Sequence, residues 1–216
     1  MKKAYKGIIF DLDGVLCHTD HYHYQAWKKL ADRLEIPFDE EVNNRLRGVS
    51  RMESLEIILE KSTKQYSEEE KRDFAEEKNE EYKKLLQQMK PSDISEEVRE
   101  TLTQLKKFYS LAVGSSSKNT KLILQKTDMA SYFDVVADGN DIRKSKPDPE
   151  VFLVAAERLH LAPADCLVVE DARAGVDAAK AGGFECAGLG DAAEYEAVDW
   201  PLQTFGDLKE LAAKGE

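Results

Sequence analysis

Four carboxylates, a lysine and a run of serines in this sequence have the chemistry to handle a phosphoryl group. Asp11 and Asp13 stand one residue apart in FDLDGVL, Glu170 and Asp171 are adjacent in VVEDARAG, Lys146 lies in SKPDP, and Ser115, Ser116 and Ser117 precede Lys118 and Asn119 in SSSKN. Carboxylates gathered at one point repel, and burying them is costly unless positive charge joins them. A hard divalent cation with oxygen ligands resolves that conflict, and Mg²⁺ is the usual choice where a phosphate completes its coordination sphere. Lys146 offers a second positive charge, and SSSKN offers hydroxyls and free backbone N–H groups where a helix would start.

These residues converge only if the elements before them are parallel strands. Short apolar runs alternate with helical patterns: Lys6–Phe10, Ser110–Val113, Phe133–Ala137, Cys166–Val169 and Phe184–Gly188. Each is too short for a helix, and most end in Gly, Asp or Ser, which predicts buried strands of an α/β fold. In open parallel sheets ligands bind beyond the carboxyl ends of the strands, where Asp11, Ser115 and Glu170 fall.

Between Phe10 and Ser110 no strand pattern appears, over a stretch far longer than one crossover helix requires. Ala26–Leu34, Arg51–Leu59 and Ser67–Met89 carry helical periodicity instead, the last opening on a capping box from Ser67 to Glu70. The economical organisation is a helical insertion over residues 16–90, returning near Pro91 to a core formed by residues 1–15 and 91–216. The mixed charges from Lys61 to Lys84 describe a solvated helix face. Lys78 departs from it: with Phe74, Tyr82 and Leu85 it falls on the apolar stripe, so it either snorkels to water or points into a cleft between insertion and core.

Other patterns have plainer readings. DLDG overlaps the calcium-loop pattern, but the spacing fails. With Asp11 and Asp13 at loop positions 3 and 5, position 1 is Ile9 inside a strand; with Asp11 at position 1, position 6 is Leu16 instead of Gly. Asp148 can cap a helix whose first residue is Pro149, which leaves Lys146 unexplained by local structure. Gly182–Gly183 ends the helix that follows Asp171. Cys17, Cys166 and Cys186 fit no metal-ligand spacing and read as buried free thiols.

The 216 residues are 42% hydrophobic and 34% charged, a globular composition, and no segment approaches the roughly 18 apolar residues of a membrane span. MKKAYKG runs into the first strand without a signal-peptide core, which predicts a cytoplasmic location. The net charge of −11 argues against nucleic acid or an anionic membrane as partner, though not against a small anion met by local cations. No coiled coil or repeat is evident, so a monomer is expected.

FDLDGVL, LAVGSS, SKPDP and VVEDARAG together resemble the haloacid dehalogenase superfamily, and HYHYQAW, LRGVSR, EEKNEEY, SSSKN and SKPDPEVF narrow the likeness to its β-phosphoglucomutase family over nearly the whole chain. The resemblance implies a Rossmann-like parallel-sheet core with an inserted α-helical cap, and a sugar phosphate as the small-molecule substrate. It implies that Asp11 is the nucleophile that becomes an aspartyl phosphate and Asp13 the general acid and base. Mg²⁺ would be held by Asp11, the Asp13 carbonyl, Glu170 and Asp171, with Ser115 and Lys146 on the transferring phosphoryl group.

A mutase must also hold a sugar bisphosphate by the phosphate that is not reacting. The resemblance gives that grip to Arg51 of the cap with Ser117, Lys118 and Asn119 of the core, beside Ser116. Gly48 and Val49 would contact the sugar, and Arg47, His23 and Lys78 match positions linked to cap closure and substrate-gated proton transfer. Trp27 is expected in the cap core or as a wall of the sugar pocket. The sequence departs from the family pattern at His18, often acidic, and in ISEEV, where a glycine is common. The implied activity is interconversion of β-D-glucose 1-phosphate and glucose 6-phosphate. The alternative is a Mg²⁺-dependent sugar-phosphate phosphatase with water as acceptor.

Overall fold

The computed structural model describes residues 5–46 and 49–212. Arg47 and Gly48, both expected at the cleft, lie outside the described residues. All five apolar runs fold as strands: β1 (Gly7–Phe10), β2 (Ser110–Gly114), β3 (Val135–Ala137), β4 (Cys166–Glu170) and β5 (Glu185–Gly188). A two-residue β6 (Trp200–Pro201), which no apolar run announces, adds to the edge. The pairings are parallel, in the order β3-β2-β1-β4-β5-β6. This is a Rossmann-like order, with the first strand in the middle and the chain leaving it to either side.

Both faces of the sheet are covered, which is why its strands read as continuous apolar runs instead of alternating ones. Ile8, Phe10, Leu111, Val113, Leu167 and Val169 face one cluster, closed by α5 (Glu96–Leu105), α6 (Thr120–Lys126) and the segment leading to α9 (Lys209–Ala212). Ile9, Ala112, Cys166, Val168 and Cys186 face the other, closed by α7 (Glu150–Arg158) and α8 (Arg173–Ala181). The three cysteines are free and buried. No helix among the described residues is long and apolar enough to cross a membrane.

Several boundaries differ from the sequence reading. β3 begins at Val135, because the Phe133 N–H is spent on the Ala130 carbonyl in a preceding turn. α7 begins at Glu150, with Pro149 as its cap and the Asp148 carboxylate accepting the Glu150 N–H at 3.1 Å. Gly182 caps α8, and Gly183 follows at φ +80°, a conformation glycine adopts without strain.

The stretch between β1 and α5 is helical: α1 (Asp20–Arg33), α2 (Glu40–Asn44), α3 (Arg51–Leu59) and α4 (Glu68–Leu86). α1 starts at Asp20 instead of Ala26, through a polar and aromatic turn in which Tyr22 and His23 donate to the Thr19 carbonyl. The Ser67–Glu70 capping box is present, and Ser50 with Glu53 forms another at the start of α3. Trp27, Leu30, Leu55, Ile58 and Ala75 make a core for these helices, while Tyr82 and Leu86 at the far end of α4 join the cluster on the sheet. The buried face of α4 is Ala75, Lys78, Asn79, Tyr82 and Leu86, one position round from the stripe expected; Phe74 and Leu85 are half-buried.

Candidate active site

β1 pairs with β2 on one side and β4 on the other, so the chain segments leaving the carboxyl ends of all three meet. Asp11 follows β1, Ser115 follows β2, and Glu170 ends β4 with Asp171 after it. The carboxylate oxygens of Asp11, Glu170 and Asp171 lie within 4.8 Å of one another. Lys146 reaches this group from the loop before α7: its buried ammonium donates to Asp11 Oδ1, and to Glu170 Oε1 at 2.5 Å. The other Glu170 oxygen accepts the N–H groups of Asp171 (2.9 Å) and Ala172 (3.0 Å), which fixes the carboxylate at both ends.

Two glycines make room for this cluster. A Cβ on Gly14, which sits at φ +86°, would meet Asp171 Oδ2 at 2.0 Å; one on Gly175, in the first turn of α8, would meet Glu170 Oε1 at 1.8 Å. An all-oxygen donor set of converging carboxylates, cradled where no side chain fits, suits a hard divalent cation. Burial raises the Asp11 pKa well above the ordinary carboxylate value; Lys146 opposes the rise, while Glu170 and Asp171 add to it. Burial also disfavours charge on Lys146, yet Asp11 and Glu170 together outweigh it and hold the ammonium above the ordinary lysine value. Gly175→Ala therefore displaces a carboxylate already tied on both sides. We expect it to weaken divalent-cation affinity about 10- to 100-fold, read by titration calorimetry with Mg²⁺.

Asp13 lies nearer the helical insertion. The buried Thr19 hydroxyl donates to Asp13 Oδ1 and accepts from the Tyr82 hydroxyl of α4 at 3.0 Å, so a chain of hydroxyls joins the carboxylate to the insertion. Burial lifts the Asp13 pKa from 3.8 to about 6, against the Thr19 hydrogen bond; Asp20 adds to the rise, and Lys78 and Lys146 lower it. A carboxyl titrating there can both give and take a proton near neutrality. Because the folded pKa is raised, the stability linked to this group is full below pH 3.8 and lost as pH rises through about 6. Asp13→Asn should therefore stabilise the metal-free protein at pH 7.5 by about 2 kcal/mol, part of the full linkage being screened by cleft water. At pH 4 the gain should vanish, which paired thermal melts would check.

The serine loop differs from expectation in one respect. The Ser117 N–H donates to Ser115 Oγ and the Asn119 N–H to Ser117 Oγ, each at 3.2 Å, so two of the amides expected to be free are used within the loop. Ser116 Oγ is buried and has no hydrogen-bond partner among the described residues, which leaves it available to an incoming acceptor. The exposed Lys118 lies beside it.

A cleft of about 1310 Å³ separates these residues from the helical insertion. His23, Trp27, Val49, Arg51 and Lys78 line the insertion side. Lys78 is buried and does not snorkel: its ammonium lies 2.8 Å from His23 Nδ1, 4.7 Å above the Trp27 ring and 4.5 Å above Tyr82. Burial, with Lys78 and Arg51 nearby, pushes the His23 pKa well below the ordinary value. Burial, with Arg51, also pushes the Lys78 pKa well below the ordinary lysine value, while Asp13 opposes the fall. Trp27 belongs both to the helical core and to the cleft wall.

Thr19 and Asn79 are polar groups at this site that the sequence reading passed over. Asn119 Nδ2 donates to Asn79 Oδ1 at 3.0 Å, joining the serine loop directly to α4. Asn79 could have been found: it shares the buried stripe with Ala75, Tyr82 and Leu86. Thr19 carried no such signal, because its buried hydroxyl bonds residues 6 and 63 positions away.

Comparison with known proteins identifies the family of the chain. Residues 5–183 match the haloacid dehalogenase-like hydrolase family. The β-phosphoglucomutase of Bacillus subtilis (strain 168) is 38% identical over 206 residues, covering 94% of this chain and 91% of that protein. The phosphorylated carbohydrates phosphatase of Thermotoga maritima is 34% identical over 184 residues, covering 83% and 82%. Among solved structures, the β-phosphoglucomutase of Clostridium difficile aligns with a TM-score of 0.89 at 35% identity, covering 97% and 98%.

Proposed function

The chain belongs to the haloacid dehalogenase-like hydrolase family, and from that premise we propose that it is a phosphomutase interconverting β-D-glucose 1-phosphate and D-glucose 6-phosphate through β-glucose 1,6-bisphosphate. Starting from phospho-Asp11, Asp13 takes the proton of the sugar 6-hydroxyl as that oxygen attacks phosphorus and the bond to Asp11 breaks. The bisphosphate then turns over in the cleft. Asp11 attacks the phosphorus at position 1 in line, the P–O1 bond breaks, and Asp13 returns its proton to the departing oxygen. Asp13, with a pKa of about 6, suits both directions of transfer.

Ser115 and Lys146 stabilise charge on the transferring phosphoryl oxygens, which is where most catalysis of phosphoryl transfer lies. Asp11, Glu170, Asp171 and the Asp13 backbone carbonyl would hold Mg²⁺, which when bound neutralises the phosphoryl oxygens and the repulsion among the carboxylates. We assign residues 1–15 and 91–216 to a catalytic core and 16–90 to a cap whose closure brings His23 and Lys78 up to Asp13 and shuts out water. Arg47 and Gly48 belong to that cap by position in LRGVSR.

One observation supports the choice of a mutase: besides Lys146, the cleft is lined by a second set of hydrogen-bond donors that could hold a phosphate. Arg51 on the cap side and Ser116, Ser117, Lys118 and Asn119 on the core side line the same cavity. A bisphosphate needs both sets, one for each end. With β-glucose 1-phosphate, Mg²⁺ and a trace of bisphosphate, glucose 6-phosphate should form without net release of inorganic phosphate. Stoichiometric phosphate release would instead support a sugar-phosphate phosphatase, the reading favoured by the similarity to the Thermotoga enzyme.

A further inference from the structure

The two sides of that second donor set are joined in this structure by a chain of acceptors. On the cap side, Arg51 Nη1 donates to Glu76 Oε2 of α4 at 3.3 Å. The other Glu76 oxygen accepts from Asn79 Nδ2 at 3.3 Å, and Asn79 Oδ1 accepts from Asn119 Nδ2 at 3.0 Å. Glu76 and Asn79 thus satisfy an arginine of the cap and an amide of the core at once. Arg51, Glu76, Asn79 and Asn119 all line the cleft.

We propose that the Glu76 carboxylate is a stand-in for the non-reacting phosphate, occupying Arg51 while the cleft is empty and displaced from it when a sugar phosphate binds. This rests on Arg51 being the second phosphate grip. The chemistry of the exchange is matched, since a carboxylate and a phosphate present similar anionic oxygens to a guanidinium. The strengths are not matched. The Arg51 side chain is only 22% exposed, whereas that of Glu76 is 61% exposed, so the carboxylate end of the pair is well solvated and weakly held. A dianionic phosphate accepting two parallel N–H bonds from Arg51 outcompetes a single 3.3 Å contact. Glu76 is a positioning residue: it keeps the guanidinium over the cleft without a ligand, at the cost of competing with one. A phosphate that takes Arg51 also frees the Glu76–Asn79–Asn119 chain to rearrange, so cap and core would respond to occupation of one end of the substrate.

Glu76→Gln keeps the acceptor for Asn79 and removes the competing charge. We expect KM for β-glucose 1-phosphate to fall about 3- to 5-fold at low ionic strength, with kcat changing less, and the gain to shrink as added salt screens the pair. Combined with Arg51→Ala the substitution should have no further effect, because its action runs through Arg51. Glu76→Asp, with the charge kept on a shorter arm, should fall between the two. If Arg51→Ala raises KM while Glu76→Gln leaves it unchanged or raises it, the stand-in role is wrong and the grip survives. If neither substitution moves KM, Arg51 is not the grip, and the proposed function loses its main support together with this inference.

Discussion

With Asp11 as the proposed nucleophile, Asp11→Asn is expected to abolish the phosphoenzyme and to lower turnover by about 10⁴-fold or more, because an amide oxygen cannot replace the attacking carboxylate. The substitution is close to isosteric. It keeps the backbone hydrogen bond from residue 11 to the Val169 carbonyl at 2.9 Å, and Lys146 retains Glu170 at 2.5 Å. Folding should not suffer, since burial and the nearby Glu170 and Asp171 already disfavour the Asp11 charge in the absence of metal. A thermal melt at or above that of the parent protein, with no acid-stable label after incubation with radiolabelled bisphosphate, is the expected pair of results. Normal labelling of the variant would move the covalent step to another residue.

Arg51→Ala has the second-largest expected effect, and its selectivity matters more than its size. Loss of charge-assisted hydrogen bonds to the non-reacting phosphate should cost about 2–3 kcal/mol, roughly 100-fold in kcat/KM for isomerisation. Acetyl phosphate has no second phosphate, and its hydrolysis should be little changed. Stability should change by less than about 1 kcal/mol, since the ion pair that Arg51 gives up among the described residues is the half-exposed one to Glu76. Equal losses with both substrates would mean that Arg51 acts on cap folding or on the reacting phosphate.

The core of the site was legible because its carboxylates and serines terminate an apolar run or follow one directly, while Lys146 lies further on, in the loop before α7. Asp11, Ser115 and Glu170 needed only the assumption of parallel strands, and the sheet order puts β1 between β2 and β4 as that assumption requires. Lys78 was legible for the opposite reason, as a charge on a buried stripe. What escaped was contact between elements remote in sequence. The bond from Asn119 to Asn79 joins loop to helix across 40 positions, and the Tyr82–Thr19–Asp13 chain depends on how α4 lies on the start of α1. Helix starts were misjudged where polar aromatic sequence, as in DHYHY, lacks an apolar period. Hydroxyls that fold back on their own loop, as in SSSKN, also lie beyond what periodicity can report. His18 is exposed and is not among the residues that line the cleft.

The central claim is that phospho-Asp11 passes its phosphoryl group to a sugar hydroxyl in preference to water. Labelling the enzyme with radioactive β-glucose 1,6-bisphosphate and Mg²⁺, removing the free label and chasing with unlabelled β-glucose 1-phosphate measures that partition in one turnover. The proposed mechanism predicts that nearly all the label appears in sugar phosphates. Label recovered chiefly as inorganic phosphate, at a rate that β-glucose 1-phosphate does not change, would contradict it.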